Sequence, residues 1–126
     1  MEGMRPWENL EEFLLPSDEN YPVVLFNGPI CTTTGLYRVT LLDIGEAKEL
    51  IQTFGFVSAV GHHGSAEVLS RVLEAEVPMN RIEYSQKIGQ KAIALKLKIR
   101  PPEGLILSAS EMAQIGFELL LLERLE

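Results

Sequence analysis

Phe56-Val57-Ser58-Ala59-Val60-Gly61-His62-His63-Gly64-Ser65 is the stretch that decides how this chain folds. Phe56 to Val60 is a short, mostly apolar strand, and Gly61 to Gly64 is the turn after it. Ser65 is placed to cap a helix whose apolar positions Val68, Leu69, Val72 and Leu73 follow at helical spacing. A strand feeding a helix through a glycine-flanked turn is a building unit of α/β domains.

Outward from this unit the pattern alternates between strands and helices. Val23 to Phe26 is an apolar run bounded by Pro22 and Asn27-Gly28-Pro29, which reads as a buried strand and a loop. Leu36 to Leu42 is a weaker strand after Gly35. Asp43 and Glu46 form a capping box, and Ile44, Ala47, Ile51 and Phe54 are the apolar face of the helix they open. Gly55 ends that helix. On the other side, Pro78 is expected to break the helix that Ser65 opens. Arg81 to Ser85 alternates like a strand, with Ile82 and Tyr84 on one face. Ala92 to Ile99 is the clearest strand, apolar at Ile93, Leu95, Leu97 and Ile99 and basic at Lys96 and Lys98. Ser108 and Glu111 form a second capping box, and Gly116 closes that short helix after Ile115. The leucine run within Phe117 to Leu125 suits strand or helix, and the break at Gly116 favours strand. The expected fold is α/β: a small mixed sheet flanked by helices, in a single domain over 21–126. Residues 1–20, polar and carrying Pro6 and Pro16, read as a flexible N-terminal extension.

Composition narrows the function classes. The 126 residues suit one domain. No apolar run approaches the roughly 20 residues that span a bilayer, so no membrane partner is expected. Met1 to Glu12 is acidic and lacks the order of a secretory signal. The single cysteine, Cys31, fits a reducing, cytoplasmic setting and reads as a small packing residue. A net charge of −7 argues against long nucleic acid as a partner. The charge is uneven, however. Arg81, Lys87, Lys91, Lys96, Lys98 and Arg100 face only Glu83 in their stretch. That band suits a small polyanion, or is simply a solvated strand face.

Four places carry polar groups of chemical interest. The turn at Gly61 holds the chain's two histidines, His62 and His63, between a strand end and a helix start, where anionic ligands bind in open α/β sheets. Ser65 there can donate to a phosphate. Adjacent histidines rarely share a metal and no third ligand is evident, so neither a metal nor a cofactor is expected. Arg100-Pro101-Pro102-Glu103-Gly104 holds a guanidinium and a carboxylate at a stiffened separation, suited to phosphate and to an imidazole respectively. Asn80-Arg81 and the loop from Asn27 through Thr32, Thr33 and Thr34 add donors for phosphate or ribose. Each place also has a plain reading: idle loop histidines, a surface ion pair, an ordinary hydroxyl-rich loop.

Together these segments resemble one family. Phe56 to His62, Val77-Pro78-Met79-Asn80-Arg81-Ile82-Glu83-Tyr84, Gly89-Gln90-Lys91-Ala92 and Arg100-Pro101-Pro102-Glu103-Gly104-Leu105-Ile106-Leu107 are similar, in order and spacing, to the viral ring nucleases, or type III anti-CRISPR ring nucleases. The resemblance covers Val23 to Leu125. It implies a metal-independent enzyme that cleaves cyclic tetra-adenylate, the messenger of type III CRISPR systems, to linear di-adenylate with a 2′,3′-cyclic phosphate. It also implies a homodimer with sites at the subunit interface, for which Phe117 to Leu122 is one apolar candidate. By resemblance, His62 is the general acid, Arg100 stabilises charge on the phosphate, and Glu103 supports the histidine. Asn80 and Arg81 contact the ligand, and Thr32 and Thr33 stand near the family's hydroxyl loop. Asn27 and Ser65 complete the candidate binding residues. The family usually has an acidic residue and then Ser-Thr after its Gly-His, whereas His63, Gly64 and Ser65 stand here. Two rival readings remain: a module that binds the cyclic nucleotide without cutting it, and a protein-interaction domain using the acidic N-terminus.

Overall fold

The computed structural model of the chain describes residues 21–99 and 106–126. The expected extension over 1–20, and Arg100 and Glu103, lie outside the described residues. The elements in chain order are β1 (Val23–Phe26), β2 (Tyr37–Leu42), α1 (Ile44–Phe54), β3 (Phe56–Ala59), α2 (His63–Leu73), β4 (Lys91–Leu97), α3 (Ala109–Ile115) and β5 (Phe117–Arg124). They form a five-stranded mixed sheet in the order β2-β5-β4-β1-β3. β1 is parallel to both β3 and β4, and β5 is antiparallel to both β2 and β4.

Val23 to Phe26 are all buried, so β1 needs cover on both faces. Val23 and Leu25 point to the face that also carries Ile93, Leu95 and Leu119. All three helices pack there, through Ala47 and Ile51, Leu69 and Leu73, and Ala109 and Met112. Val24, Phe26, Ala92, Ala94 and Leu122 form a second cluster with no helical residue in it. The helices expected to flank the sheet therefore all lie on one of its faces.

The segment between α2 and β4 covers part of the other face. Its alternation at Arg81 to Ser85 suggested a strand, but no strand forms. Tyr84 packs against the second cluster, so the segment lies over the sheet and not in its ladder. Two buried glutamines take the place of ladder hydrogen bonds. Gln86 Nε2 donates to Gln90 O at 2.7 Å and Leu122 O at 2.8 Å. Gln90 Nε2 donates to Pro22 O at 2.8 Å and Tyr84 Oη at 3.0 Å, and its Oε1 accepts from Lys87 N at 2.8 Å.

Both capping boxes form as read: Asp43 with Glu46, and Ser108 with Glu111. α2 differs at both ends. Its N-cap is His62 and not Ser65, because the imidazole accepts from Ser65 N and α2 begins at His63. It ends at Leu73, before Pro78, with Glu74 in the left-handed region at φ 54°. Ser70 Oγ accepts from Val77 N at 2.9 Å and donates to Ala66 O at 2.8 Å, tying the departing chain back to the helix. β4 stops at Leu97, which pairs with Phe117, the first residue of β5. Ile99, counted with the strand's buried face by alternation, is exposed. Cys31 is exposed and not packed, being part of an outer loop with Ile30 and Thr32. Phe117 to Leu122 lies on an interior strand, with Leu119 and Leu122 buried. Edge strand β2, by contrast, carries exposed apolar residues, Val39 at 52% and Leu41 at 68%.

Gln90→Leu leaves Pro22 O and Lys87 N–H without partners beside a side chain that is 1% exposed. The expected loss is about 1–3 kcal/mol of unfolding free energy, read from urea denaturation. A loss within experimental error would show that water replaces the glutamine.

Candidate functional site

Parallel pairing puts the carboxyl ends of β1, β3 and β4 on one edge of the sheet. The carboxyl edge of parallel strands is where open α/β sheets bind ligands. Asn27 follows β1, the Gly61-His62 turn follows β3, and Arg100 comes three residues after Leu97 in the chain.

The Gly61 peptide is held from two sides. Its N–H donates to Asn27 Oδ1 at 3.1 Å, and its carbonyl accepts from Arg81 Nε at 3.0 Å. A Cβ at Gly61 would sit 3.1 Å from Arg81 Cγ, so a larger residue there would make Arg81 give by a few tenths of an ångström. Asn80 is anchored next to it, its N–H on Val60 O at 2.7 Å and its Nδ2 on Ser58 O at 2.8 Å. Ser58, a buried hydroxyl in an apolar strand, donates to Pro78 O at 2.6 Å and fastens the same segment. Among the described residues Arg81 uses only its Nε, and the residue is exposed.

His62 is half-buried and caps α2 with its own ring. Nδ1 lies 3.3 Å from Ser65 N and 3.3 Å from Ser65 Oγ. With Nδ1 accepting, the neutral ring carries its proton on Nε2. The first turn of α2 also leaves the N–H groups of His63 and Gly64 without intrahelical partners. This arrangement can receive an anion at the helix start and present it with a proton on Nε2.

α3 and the chain before it complete the surroundings of His62. A Cβ at Gly64 would meet Leu107 O at 2.6 Å, His62 Cε1 at 3.1 Å and Met112 Cε at 3.2 Å. Ser65 is 4% exposed, with Oγ 3.9 Å from Met112 Sδ. His63 faces elsewhere, into an open groove of about 610 Å³ with Glu67, Arg71, Val77 and Met79.

Asn27, His62, Ser65, Asn80 and Arg81 are thus brought together. Thr32 and Thr33 are bonded elsewhere: Thr32 donates to Tyr84 O, and Thr33 pairs with the Tyr37 hydroxyl. No hydrogen bond among the described residues joins them to the Gly61-His62 turn. The basic band is also divided. Lys87 and Lys91 lie before or at the start of β4, against the rings of Tyr21 and Phe54. Lys98 packs over Gly116 beyond the end of that strand. Sequence reasoning did not find Leu107 and Met112, which look like ordinary apolar positions. Ser58 was detectable as the one hydroxyl inside an apolar strand. Among the described residues there is no cluster of three or more His, Cys, Asp or Glu suited to a metal, and no helix is long and apolar enough to cross a membrane.

Comparison with known proteins gives relatives in viruses and in a bacterium. A family model described as STIV B116-like matches residues 23–119. Uncharacterized protein 26 of Sulfolobus islandicus filamentous virus is 41% identical over 83 residues, covering 65% of this chain and 70% of that protein. Uncharacterized protein ORF117 of Acidianus two-tailed virus is 39% identical over 93 residues, 71% of this chain and 80% of that one. Uncharacterized protein YddF of Bacillus subtilis is 26% identical over 106 residues, 82% and 98% of the two chains. The solved structure of B116 of Sulfolobus turreted icosahedral virus superposes with a TM-score of 0.60 at 21% identity, covering 82% of this chain and 99% of that one; it shares the fold.

Gly64→Ala must displace Leu107, because backbone carbonyl oxygen stands 2.6 Å from the new Cβ. Overpacking costs about 1–3 kcal/mol, offset in part by alanine's better helix propensity, so a net loss of about 1–2 kcal/mol is expected in denaturant unfolding. Unchanged stability would show that the chain at Leu107 yields freely.

Proposed function

The chain belongs to the STIV B116-like family, and we propose that it is a metal-independent ring nuclease that cleaves cyclic tetra-adenylate. The observation that carries this reading is the His62 ring. Its Nδ1 is engaged by Ser65, which leaves Nε2 for chemistry at the carboxyl edge of three parallel strands. The resemblance to the viral ring nucleases supplies the substrate and the partners of that ring.

In the proposed reaction a ribose 2′-hydroxyl attacks the adjacent phosphorus. The O2′–P bond forms, the P–O5′ bond breaks, and the 2′-hydroxyl proton passes to solvent. His62, charged at the start, delivers a proton from Nε2 to the leaving 5′-oxygen. Arg100 stabilises the charge that develops on the phosphate, and Glu103 supports the imidazolium. Arg81, braced on Gly61 O, offers its terminal nitrogens to the ligand, and Asn27 and Asn80 hold the turn in place. Two cuts leave linear di-adenylate ending in a 2′,3′-cyclic phosphate. The ligand provides its own nucleophile, so the proposal requires no serine, cysteine or metal for attack.

A four-nucleotide ring with two-fold symmetry suits two copies of the chain about a two-fold axis, each giving one His62 to an opposite phosphate. The proposed role is to switch off type III CRISPR signalling in the cytoplasm. A second reading, capture without cleavage, draws on Gly64: the family's hydroxyl at this position is absent, and the backbone is packed against Leu107.

Incubation of the protein with radiolabelled cyclic tetra-adenylate in excess EDTA separates these readings. Cleavage is expected to survive chelation; its complete loss, restored by a divalent ion, would overturn the mechanism. His62→Ala is expected to lower the single-turnover rate by about 10²-fold or more with binding largely kept, and His63→Ala to cost much less. Light scattering is expected to give a dimer mass before ligand is added. Leu41→Glu, at the 68% exposed edge-strand leucine, is expected to shift that mass toward monomer. A monomer that is fully active at the same concentration would remove the dimer from the proposal.

A further inference from the structure

We propose that Ser65 is a positioning residue that holds the His62 ring by Nδ1 in both of its protonation states. The proposal rests on the reading of His62 as proton donor, and it assigns the Ser65 hydroxyl to the imidazole where the sequence suggested a phosphate contact.

The ring's Nδ1 has two neighbours on Ser65, the backbone N–H and the hydroxyl, each at 3.3 Å. The N–H is a donor only. It serves the neutral ring, whose Nδ1 carries a lone pair, and it opposes the charged ring, whose Nδ1 carries a proton. A general acid passes through both states in every turnover. The hydroxyl resolves the conflict because it donates and accepts. Toward the neutral ring it can point its hydrogen at Nδ1. Toward the charged ring its oxygen accepts the Nδ1 proton, and its hydrogen turns to Met112 Sδ, 3.9 Å away, a weak acceptor.

Burial supports this assignment over a ligand contact. Ser65 is 4% exposed, and it lies one residue beyond Gly64, where Leu107 and Met112 close over the helix. The charged side chains on the elements around the ring are engaged elsewhere or exposed. Arg81 bonds Gly61 O, Glu111 accepts from Ser108 N at 2.9 Å, Glu67 pairs with Arg71 at 3.0 Å, and His63 is exposed. Among the described residues no salt bridge reaches His62, and of these residues it is Ser65 whose hydroxyl stands ready to accept its Nδ1 proton.

The test uses ¹⁵N-labelled full-length protein at a pH where the His62 ring is charged. A hydrogen-bonded, slowly exchanging Nδ1–H resonance is expected in the unaltered protein and in Ser65→Thr, and its loss in Ser65→Ala. In cleavage assays Ser65→Ala is expected to lower kcat about 10-fold or more, the size of one hydrogen bond to a charged group, with KM within about twofold. Ser65→Thr is expected to restore kcat at least in part. An Nδ1–H resonance that persists in Ser65→Ala, or is absent from the unaltered protein, would overturn the proposal. So would a raised KM with kcat unchanged, which marks a ligand contact. If the unaltered protein cleaves nothing, the ring-nuclease reading fails, and the Nδ1–H resonance still decides the role of Ser65.

Discussion

Four residues, Val23 to Phe26, are buried on both faces of an interior strand with a parallel neighbour on each side. The rest of the architecture follows from keeping water off them. Parallel neighbours need long crossovers, which bring α1 and α2 onto one face. The opposite face is covered in part by a segment without regular structure, and a buried segment of that kind must satisfy its backbone some other way. Gln86 and Gln90 do so with side-chain amides, each reaching two partners through one nitrogen. The same parallel arrangement gathers three strand ends at one edge, and it is there that Asn27, Asn80, Arg81 and His62 meet.

The meeting point is built around a peptide group. Gly61 has its N–H and its carbonyl both taken by side chains from other parts of the chain, which fixes the plane from which His62 departs. His62 then folds back on its own helix and is fastened at Nδ1. Orientation of this kind suits a proton donor, since the reacting nitrogen must lie within hydrogen-bond reach of one oxygen of the ligand.

Local signals in the sequence were reliable and tertiary ones were not. Both capping boxes, the break at Gly116 and the last strand were legible because each depends on residues within a few positions of one another. The cap of α2 was read one role out of place. Ser65 has the residue type that caps helices, but the His62 imidazole sets its Nδ1 close to where an asparagine or aspartate would set an oxygen. The alternation at Arg81 to Ser85 reports that a segment has two faces. It does not report whether a ladder partner exists, and Tyr84 turned out to lie on top of the sheet. The hydroxyls of Thr32 and Thr33 suggested ligand contacts. The partner of Thr32, Tyr84, is 52 positions away, so its internal bond was invisible in the sequence. Asn27, Asn80 and Arg81, by contrast, stand out in the sequence as separate polar points, and the structure brings them to one turn.

The strand order carries a consequence for how the chain is made. β5 is the last strand in the sequence, yet it sits in the interior of the sheet, between β2 and β4. Until it emerges from the ribosome, β2 has no partner and one side of β4 is an open edge. The pairings themselves join distant positions, Val24 with Ala92 and Tyr37 with Arg124. A topology of such high contact order folds slowly for its size. The nascent chain therefore carries these aggregation-prone edges until β5 inserts between β2 and β4 and completes the sheet.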